Sequence, residues 1–464
     1  MKGPFIHSEN KTNKMMKNLF ISLVPIILFS FYKNGIIPYI NNKISLFEMF
    51  YPLIFITIGI VSSYLYELLY IRIFMKKKGS ELKEIINNSF SIFPGLFVSL
   101  VLPLNTPISI LLFGTFMAVI VGKMIYGGFG NNIFNPALIG CLFVTATYSG
   151  VIANNGGYFN SYELDTISSA TPLSIVTDNI SYDTLVKPFG NLSNFFVGLI
   201  PGSVGETSFL LCILAFIYLT ATKTIKWKIP VTYISTVFII TFIIGLNNDL
   251  GIWYPLFQIM SGGLAFGAVF MATDPVTSPT TSLGQIIYGI SLGILTLICR
   301  YLTSYPEGVL TSILIMNMFV FILDKVGTRN KNYKKKIFIS ITSIIIIAIL
   351  VTFNISKKLS SPNVDNDFNI ISKDIKGDSI TYVATQKGFK GNIKAKIVIE
   401  NEKVVTYEIL EYQDDYVDVV LKENYIDKLK NNKDLEQLDA VSGATRTSTA
   451  LKKLLINVIK DSEQ

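Results

Sequence analysis

The residues with the clearest chemical potential lie near the end of the chain, in Asp439-Ala440-Val441-Ser442-Gly443-Ala444-Thr445-Arg446-Thr447. Asp439 and Ser442 carry side-chain oxygens that can cap backbone N–H groups, Gly443 has no Cβ, and an apolar-periodic segment, 450–459, follows. This reads as a turn running into a helix, with the Thr445 hydroxyl beside small residues where a bulky group could approach. A plain capped helix start would have the same composition. A second stretch, Asp165-Thr166-Ile167-Ser168-Ser169-Ala170-Thr171, repeats the frame Asp-x-x-Ser-x-Ala-Thr. At roughly 5–6% usage per residue type, four fixed identities recur by chance about once in 100,000 positions. Two copies in 464 residues are therefore read as one signal used twice.

The frame resembles the attachment signal at which a flavin transferase esterifies the last Thr to the phosphate of FMN. The copy at Ser442-Gly443-Ala444-Thr445-Arg446-Thr447-Ser448 is similar to the FMN-binding domain of the small flavoprotein subunits of Rnf complexes and Na+-translocating NADH:quinone oxidoreductases. The copy at Ser168-Ser169-Ala170-Thr171-Pro172-Leu173 resembles the flavin site of their large membrane subunit, with Ser169 where Gly is usual. The resemblance covers nearly the whole chain, as a fusion of two proteins normally separate. It implies covalent FMN on Thr171 and Thr445, two in all. Asp165, Ser168, Asp439, Ser442, Gly443, Ala444 and Thr447 would shape the two sites, and Arg446 could pair with a phosphate oxygen. In some members the membrane subunit also holds a non-covalent flavin, riboflavin being the candidate.

The elements that must position these threonines are mostly apolar. Half of the residues are hydrophobic, 16% are charged, and mean hydropathy is +0.48. That composition belongs to a polytopic membrane protein with a soluble appendage. The net charge of +8 sits in short Lys/Arg clusters between apolar runs, the pattern of cytoplasmic loops, so no nucleic-acid partner is expected. Cys141, Cys212 and Cys299 lie inside apolar runs without Cys-x-x-Cys spacing, which points to small buried hydrophobes rather than to zinc or iron–sulfur ligands. The single histidine, His7, leaves almost no material for haem ligation or histidine catalysis. Flavin is the electron carrier the sequence offers.

Apolar segments near 18–32, 46–74, 88–104, 107–125, 137–149, 208–222, 230–246, 256–272, 284–303, 308–323 and 337–353 give about eleven spans. Basic clusters at the N-terminus, at Arg72 with Lys76 to Lys78, at Lys223 to Lys228 and at Lys325 to Lys336 all fall on one side when spans are counted. The positive-inside rule makes that side cytoplasmic and puts both the loop 150–193 and the tail after 354 outside. Both threonine frames are then extracytoplasmic. Outside the membrane a tethered flavin cannot diffuse away, which is the physical reason for a covalent link.

Three stretches at membrane depth cannot be plain helix: 127–137, rich in Gly and closed by Asn135-Pro136; Pro201 to Ser208; and Thr273 to Thr281 with Pro275 and Pro279. Backbone groups freed there must be satisfied inside protein or at a water-lined cavity, and such breaks build ligand sites. All three match the large membrane subunit of the same complexes. Glu206 and Asp274 are the carboxylates within them, readable either as groups for an ion or a flavin, or as helix caps.

The expected organisation is a cytoplasmic tail, 1–17; a membrane domain, 18–325; a basic cytoplasmic loop, 326–336; a further span, 337–353; a linker, 354–378; and an α+β FMN-binding domain, 379–464. Within that domain, 380–384, 393–400 and 403–410 alternate as strands, and 416–431 and 446–460 read as helices. No Gly-x-Gly-x-x-Gly follows a strand, so oxidation of a nicotinamide or ferredoxin would need other membrane subunits as partners. The function expected is electron transfer within an Rnf-like ion-translocating complex. Its rivals are a standalone extracytoplasmic reductase, and a transporter or channel with a binding module.

Overall fold

A computed structural model describes residues 12–155, 180–205, 208–302 and 308–328, short stretches between 342 and 355, and most of 368–462. The chain divides into two compact units, Met1–Ser360 and Ser361–Gln464.

The first unit is helical. Among the described residues six helices are long and apolar enough to cross a membrane: Thr12–Ile40, Tyr51–Ile73, Gly79–Val101, Lys228–Asn247, Ser282–Tyr301 and Val309–Gly327. Trp253–Met260 and Leu264–Met271 form one further candidate, bent by 64°. Three shorter apolar helices, Ile108–Met124, Pro136–Ile152 and Phe209–Ala221, lie on the expected segments 107–125, 137–149 and 208–222. Of the segment 337–353, residues 346–353 are helical. The helices Tyr51–Ile73 (α1), Lys228–Asn247 (α2) and Val309–Gly327 (α3) expose Leu, Ile, Val and Phe on their outer faces, as lipid-facing helices do.

Two devices hold this bundle. Ser282–Leu302 (α4) presents Gly289 and Gly293 to α2, and a Cβ on Gly293 would come within 2.7 Å of the Thr236 Cβ. Small residues one turn apart let the two backbones approach. At the bend, the Arg300 guanidinium donates to the Gln258 carbonyl at 2.6 Å, to Gln258 Oε1 at 3.0 Å and to the Ser261 carbonyl at 3.2 Å. A broken helix frees carbonyls that lipid cannot satisfy, and a buried guanidinium supplies the missing donors. The second expected span begins later than 46: Ser45 and Glu48 form a capping box on the short helix Leu46–Met49, and α1 starts afresh at Tyr51.

The second unit is a four-stranded antiparallel sheet in sequential order with helices on one face. Its strands are Phe368–Lys376 (β1), Ser379–Lys387 (β2), Asn392–Glu400 (β3) and Lys403–Tyr412 (β4). Tyr382, Ala384, Ile397, Ile399 and Tyr407 alternate inward and meet Leu451, Leu454, Leu455 and Val458 of the last helix, Thr445–Ser462 (α5). The expected linker 354–378 therefore contains a strand. β1 hides in the sequence because a bulge between Ile370 and Ser372 breaks its alternation. The expected helix 416–431 is two, Val417–Lys422 and Tyr425–Asn431, with Asn424 between them in a left-handed conformation at φ 52°.

Candidate functional site

Helix α5 begins at Thr445 itself. Ala444 and Val441, before it, are buried, and the Ala444 N–H donates to the Val441 carbonyl at 3.0 Å. Ser448 N–H and Oγ both donate to the Ala444 carbonyl, at 2.9 and 3.0 Å, and Ser448 Oγ accepts the Val441 N–H at 3.1 Å. Thr447 is fully buried. Asp439, Ser442, Gly443 and the side chains of Thr445 and Arg446 lie outside the described residues, as do Asp165, Ser168, Thr171 and Glu206. What the structure adds at the C-terminal frame is the position of Thr445 at the first turn of an 18-residue helix. The positive end of the helix dipole makes that end favourable for a phosphate.

A second arrangement joins two of the Gly/Pro stretches in the membrane unit. The Asn135 N–H donates to Asn317 Oδ1 at 3.2 Å. Asn317 Nδ2 donates to the Thr277 carbonyl at 3.0 Å and to the Tyr288 hydroxyl at 3.2 Å. Thr277 Oγ1 in turn donates to Asp274 Oδ2 at 2.8 Å, so Asp274 is held as a turn-capping carboxylate. Asp324 closes the other end of the same loop, accepting the Thr280 and Thr281 N–H groups at 2.9 and 2.8 Å. Lys226 donates to the Pro279 carbonyl at 2.8 Å.

Beside these loops lies a cavity walled by Phe90, Phe93, Phe97, Phe129 and Phe270, with Lys123, Asn132, Asn135 and Asp274 also on its lining. Phe90 meets Phe129 edge-on at 5.0 Å between centroids. Lys123 is 2% exposed and pairs at 2.7 Å with Glu67, which is 0% exposed. Lys123 also donates to the Ser89 carbonyl at 2.6 Å, while the Ser89 hydroxyl donates to the second Glu67 oxygen. Aromatic walls with a few fixed polar groups suit a flat heteroaromatic ligand.

Residues 1–334 match the family model described as NQR2, RnfD, RnfE, and residues 388–460 match the FMN-binding domain. The chain belongs to the NQR2, RnfD, RnfE family. It carries an FMN-binding domain after the family region, in the fusion expected from the two threonine frames. The chain is 34% identical over 327 residues to a component of the proton-translocating ferredoxin:NAD(+) oxidoreductase complex of Clostridium ljungdahlii, spanning 70% of this chain and 92% of that one. It is 31% identical over 325 residues to a component of the Na(+)-translocating ferredoxin:NAD(+) oxidoreductase complex of Acetobacterium woodii, spanning 70% and 91%. A component of the Na(+)-translocating NADH-quinone reductase of Chromohalobacter salexigens is 33% identical over 259 residues, spanning 54% and 60%.

Within the family region, sequence reading missed the Glu67–Lys123 pair, the Asn317 crosslink and Arg300. Each joins segments far apart in the chain, and only an ionisable or amide side chain in an apolar run signalled them. The three cysteines are buried, as expected.

Proposed function

We propose that this chain is an electron-transfer flavoprotein subunit of an Rnf-like ion-translocating membrane complex, with one FMN esterified to Thr171 and one to Thr445. The observation that carries the reading is the fusion itself. A family-typical membrane region and an FMN-binding domain lie in one chain, and each contains the Asp-x-x-Ser-x-Ala-Thr frame. FMN supplies one- and two-electron transfer when bound. The chain supplies a hydroxyl at Thr445, a helix N-terminus for the phosphate and a buried scaffold behind it. A non-covalent flavin of the riboflavin type would stack among the phenylalanines of the cavity described above, whose aromatic walls suit a flat ring. The topology that goes with this reading has about eleven spans, the N-terminus and basic loops in the cytoplasm, and both threonines outside. Sites for ferredoxin or a nicotinamide would lie on other membrane subunits, and a flavin transferase would load both threonines.

The test is in-gel flavin fluorescence of the denatured full chain, made together with a flavin transferase, for wild type, Thr171→Val, Thr445→Val and the double variant. Stepwise loss, with mass spectrometry placing one FMN on each Thr, is expected. Undiminished fluorescence in the double variant moves the attachment elsewhere, and a colourless wild type sinks the electron-transfer reading. Co-purification of further membrane subunits separates a complex member from a standalone reductase.

A further inference from the structure

Ser448 has no task in the reading above, yet its side chain ties Val441 and Ala444 together at the attachment frame. It is fully buried, three residues beyond Thr445 in α5. A serine inside a helix commonly returns its hydroxyl proton to the carbonyl four residues back, and Ser448 does so at Ala444, at 3.0 Å. Its oxygen also accepts the Val441 N–H at 3.1 Å, from seven residues upstream and outside the helix. Since Ala444 itself donates to the Val441 carbonyl at 3.0 Å, residues 441, 444 and 448 are tied into one knot. The backbone on both sides of residues 442–443 is thereby pinned from the interior of the unit. The spacing occurs twice in the sequence: Ser174 follows Thr171 as Ser448 follows Thr445, which lengthens the shared frame to Asp-x-x-Ser-x-Ala-Thr-x-x-Ser.

We propose that Ser448 is a positioning residue for the modification of Thr445, fixing the loop so that the threonine reaches the flavin transferase in one conformation. The inference rests on the covalent-flavin reading. In the attachment, the Thr445 oxygen forms a bond to the phosphorus of the flavin phosphate while the phosphoanhydride bond of a flavin dinucleotide breaks. The nucleoside monophosphate leaves and the hydroxyl proton passes to solvent. Ser448 touches none of these atoms; it removes the ordering cost that a loose acceptor loop would add at the transferase.

The experiment follows FMN on each threonine of the full chain by peptide mass spectrometry over time, with the transferase and its flavin dinucleotide present. Ser448→Ala leaves the buried Val441 N–H without its acceptor. Labelling of Thr445 is expected to slow about tenfold, the equivalent of about 1.4 kcal/mol, while Thr171 in the same molecules is labelled at the wild-type rate. Ser448→Cys keeps nearly the same volume with a far weaker hydrogen-bonding group, so it separates loss of the knot from loss of packing and should slow Thr445 as well. Ser448→Thr, which retains the hydroxyl, should restore most of the rate. Wild-type labelling of Thr445 in Ser448→Ala or Ser448→Cys overturns the inference. A wild-type chain unlabelled at Thr445 overturns the covalent-flavin reading, and the inference with it.

Discussion

Replacing Glu67 by Gln tests the membrane unit where its charge is most deeply buried. The Lys123 ammonium lies 2.7 Å from Glu67, with side chains 2% and 0% exposed. At an effective dielectric of about 20 that separation corresponds to roughly 6 kcal/mol of attraction. Desolvation of the two ions costs several kcal/mol each, so the intact pair contributes little net stability. Breaking it is another matter. With Gln at 67, the Lys123 charge keeps only neutral acceptors, the Ser89 carbonyl and the new amide oxygen, and the expected loss is about 3–5 kcal/mol. Lys123→Met should cost a similar amount by stranding the carboxylate. The double variant Glu67→Leu/Lys123→Met removes both charges and should recover most of the loss, because an apolar pair of similar volume needs no compensation.

Cys141, Cys212 and Cys299 provide the readout, since all three are buried in this unit and become reactive to a fluorogenic thiol reagent on unfolding. In detergent, each single variant should unfold roughly 5–10 °C below wild type, and the double variant close to it. Singles as stable as wild type, or a double variant as unstable as the sum of its singles, would refute the reasoning. Either result would mean that water or a counter-ion reaches Lys123, so that the pair does not hold α1 to the segment 117–124.

Asp324 is a cap supplied from another helix, accepting both N–H groups ahead of α4. Asp324→Ala should cost about 1 kcal/mol and accelerate hydrogen exchange at the Thr280 and Thr281 amides, and unchanged exchange there would contradict it. In the second unit, Lys373 on edge strand β1 donates to Asp461 at 2.8 Å, and the Tyr382 hydroxyl does so at 3.1 Å. The Lys373 hydrogen bond holds the Asp461 carboxyl below its usual range, and the Asp461 hydrogen bond holds the Lys373 ammonium above its own. A depressed carboxyl stabilises the fold above its unfolded pKa of about 4 and loses that contribution as pH falls through the lower folded value. A raised ammonium contributes below about 10.4 and loses its contribution as pH rises through the higher folded value. Protection of the β1 amides, taken relative to their intrinsic exchange at each pH, should therefore be greatest at neutral pH and fall at both extremes. Asp461→Asn should flatten the dependence at both ends, and the contrast should shrink in high salt because the pair is solvent-exposed.

The apolar runs placed the helices of the first unit well because lipid leaves the backbone no alternative to helix, although among the described residues only six, or seven with the bent pair, are long enough to cross a membrane. Ten of the eleven expected segments fall on described helices, and residues 346–353 continue the pattern. The three main strands of the second unit were legible from their alternation and end within a few residues of expectation. β1 was not, because its bulge reverses inside and outside part-way along. The Asn424 break was equally invisible, since asparagine tolerates helix and left-handed backbone alike. The threonine frames stand out in the sequence because they are local patterns. Asn135 and Asn317, 182 residues apart, and Glu67 and Lys123, 56 apart, do not: polarity in an apolar run says that a partner exists and nothing about which residue it is.

Under the proposed function, joining the two flavin carriers in one chain has a consequence that separate subunits lack. Residue 355 is helical in the first unit and β1 begins at Phe368, which leaves twelve residues, 356–367, between them. Even fully extended, thirteen Cα steps reach at most about 45 Å. A domain confined to a sphere of that radius has an effective concentration of a few millimolar beside its own membrane unit, whatever the level of expression. A non-covalent flavin would gain nothing from this, because it could leave its domain. An esterified one cannot. The covalent links and the fusion therefore act in series, the first keeping each flavin on its domain and the second keeping the two domains together. That is why cutting the linker and mutating Thr445 should damage electron transfer in different ways: the first makes the rate depend on protein concentration, and the second abolishes the step at any concentration.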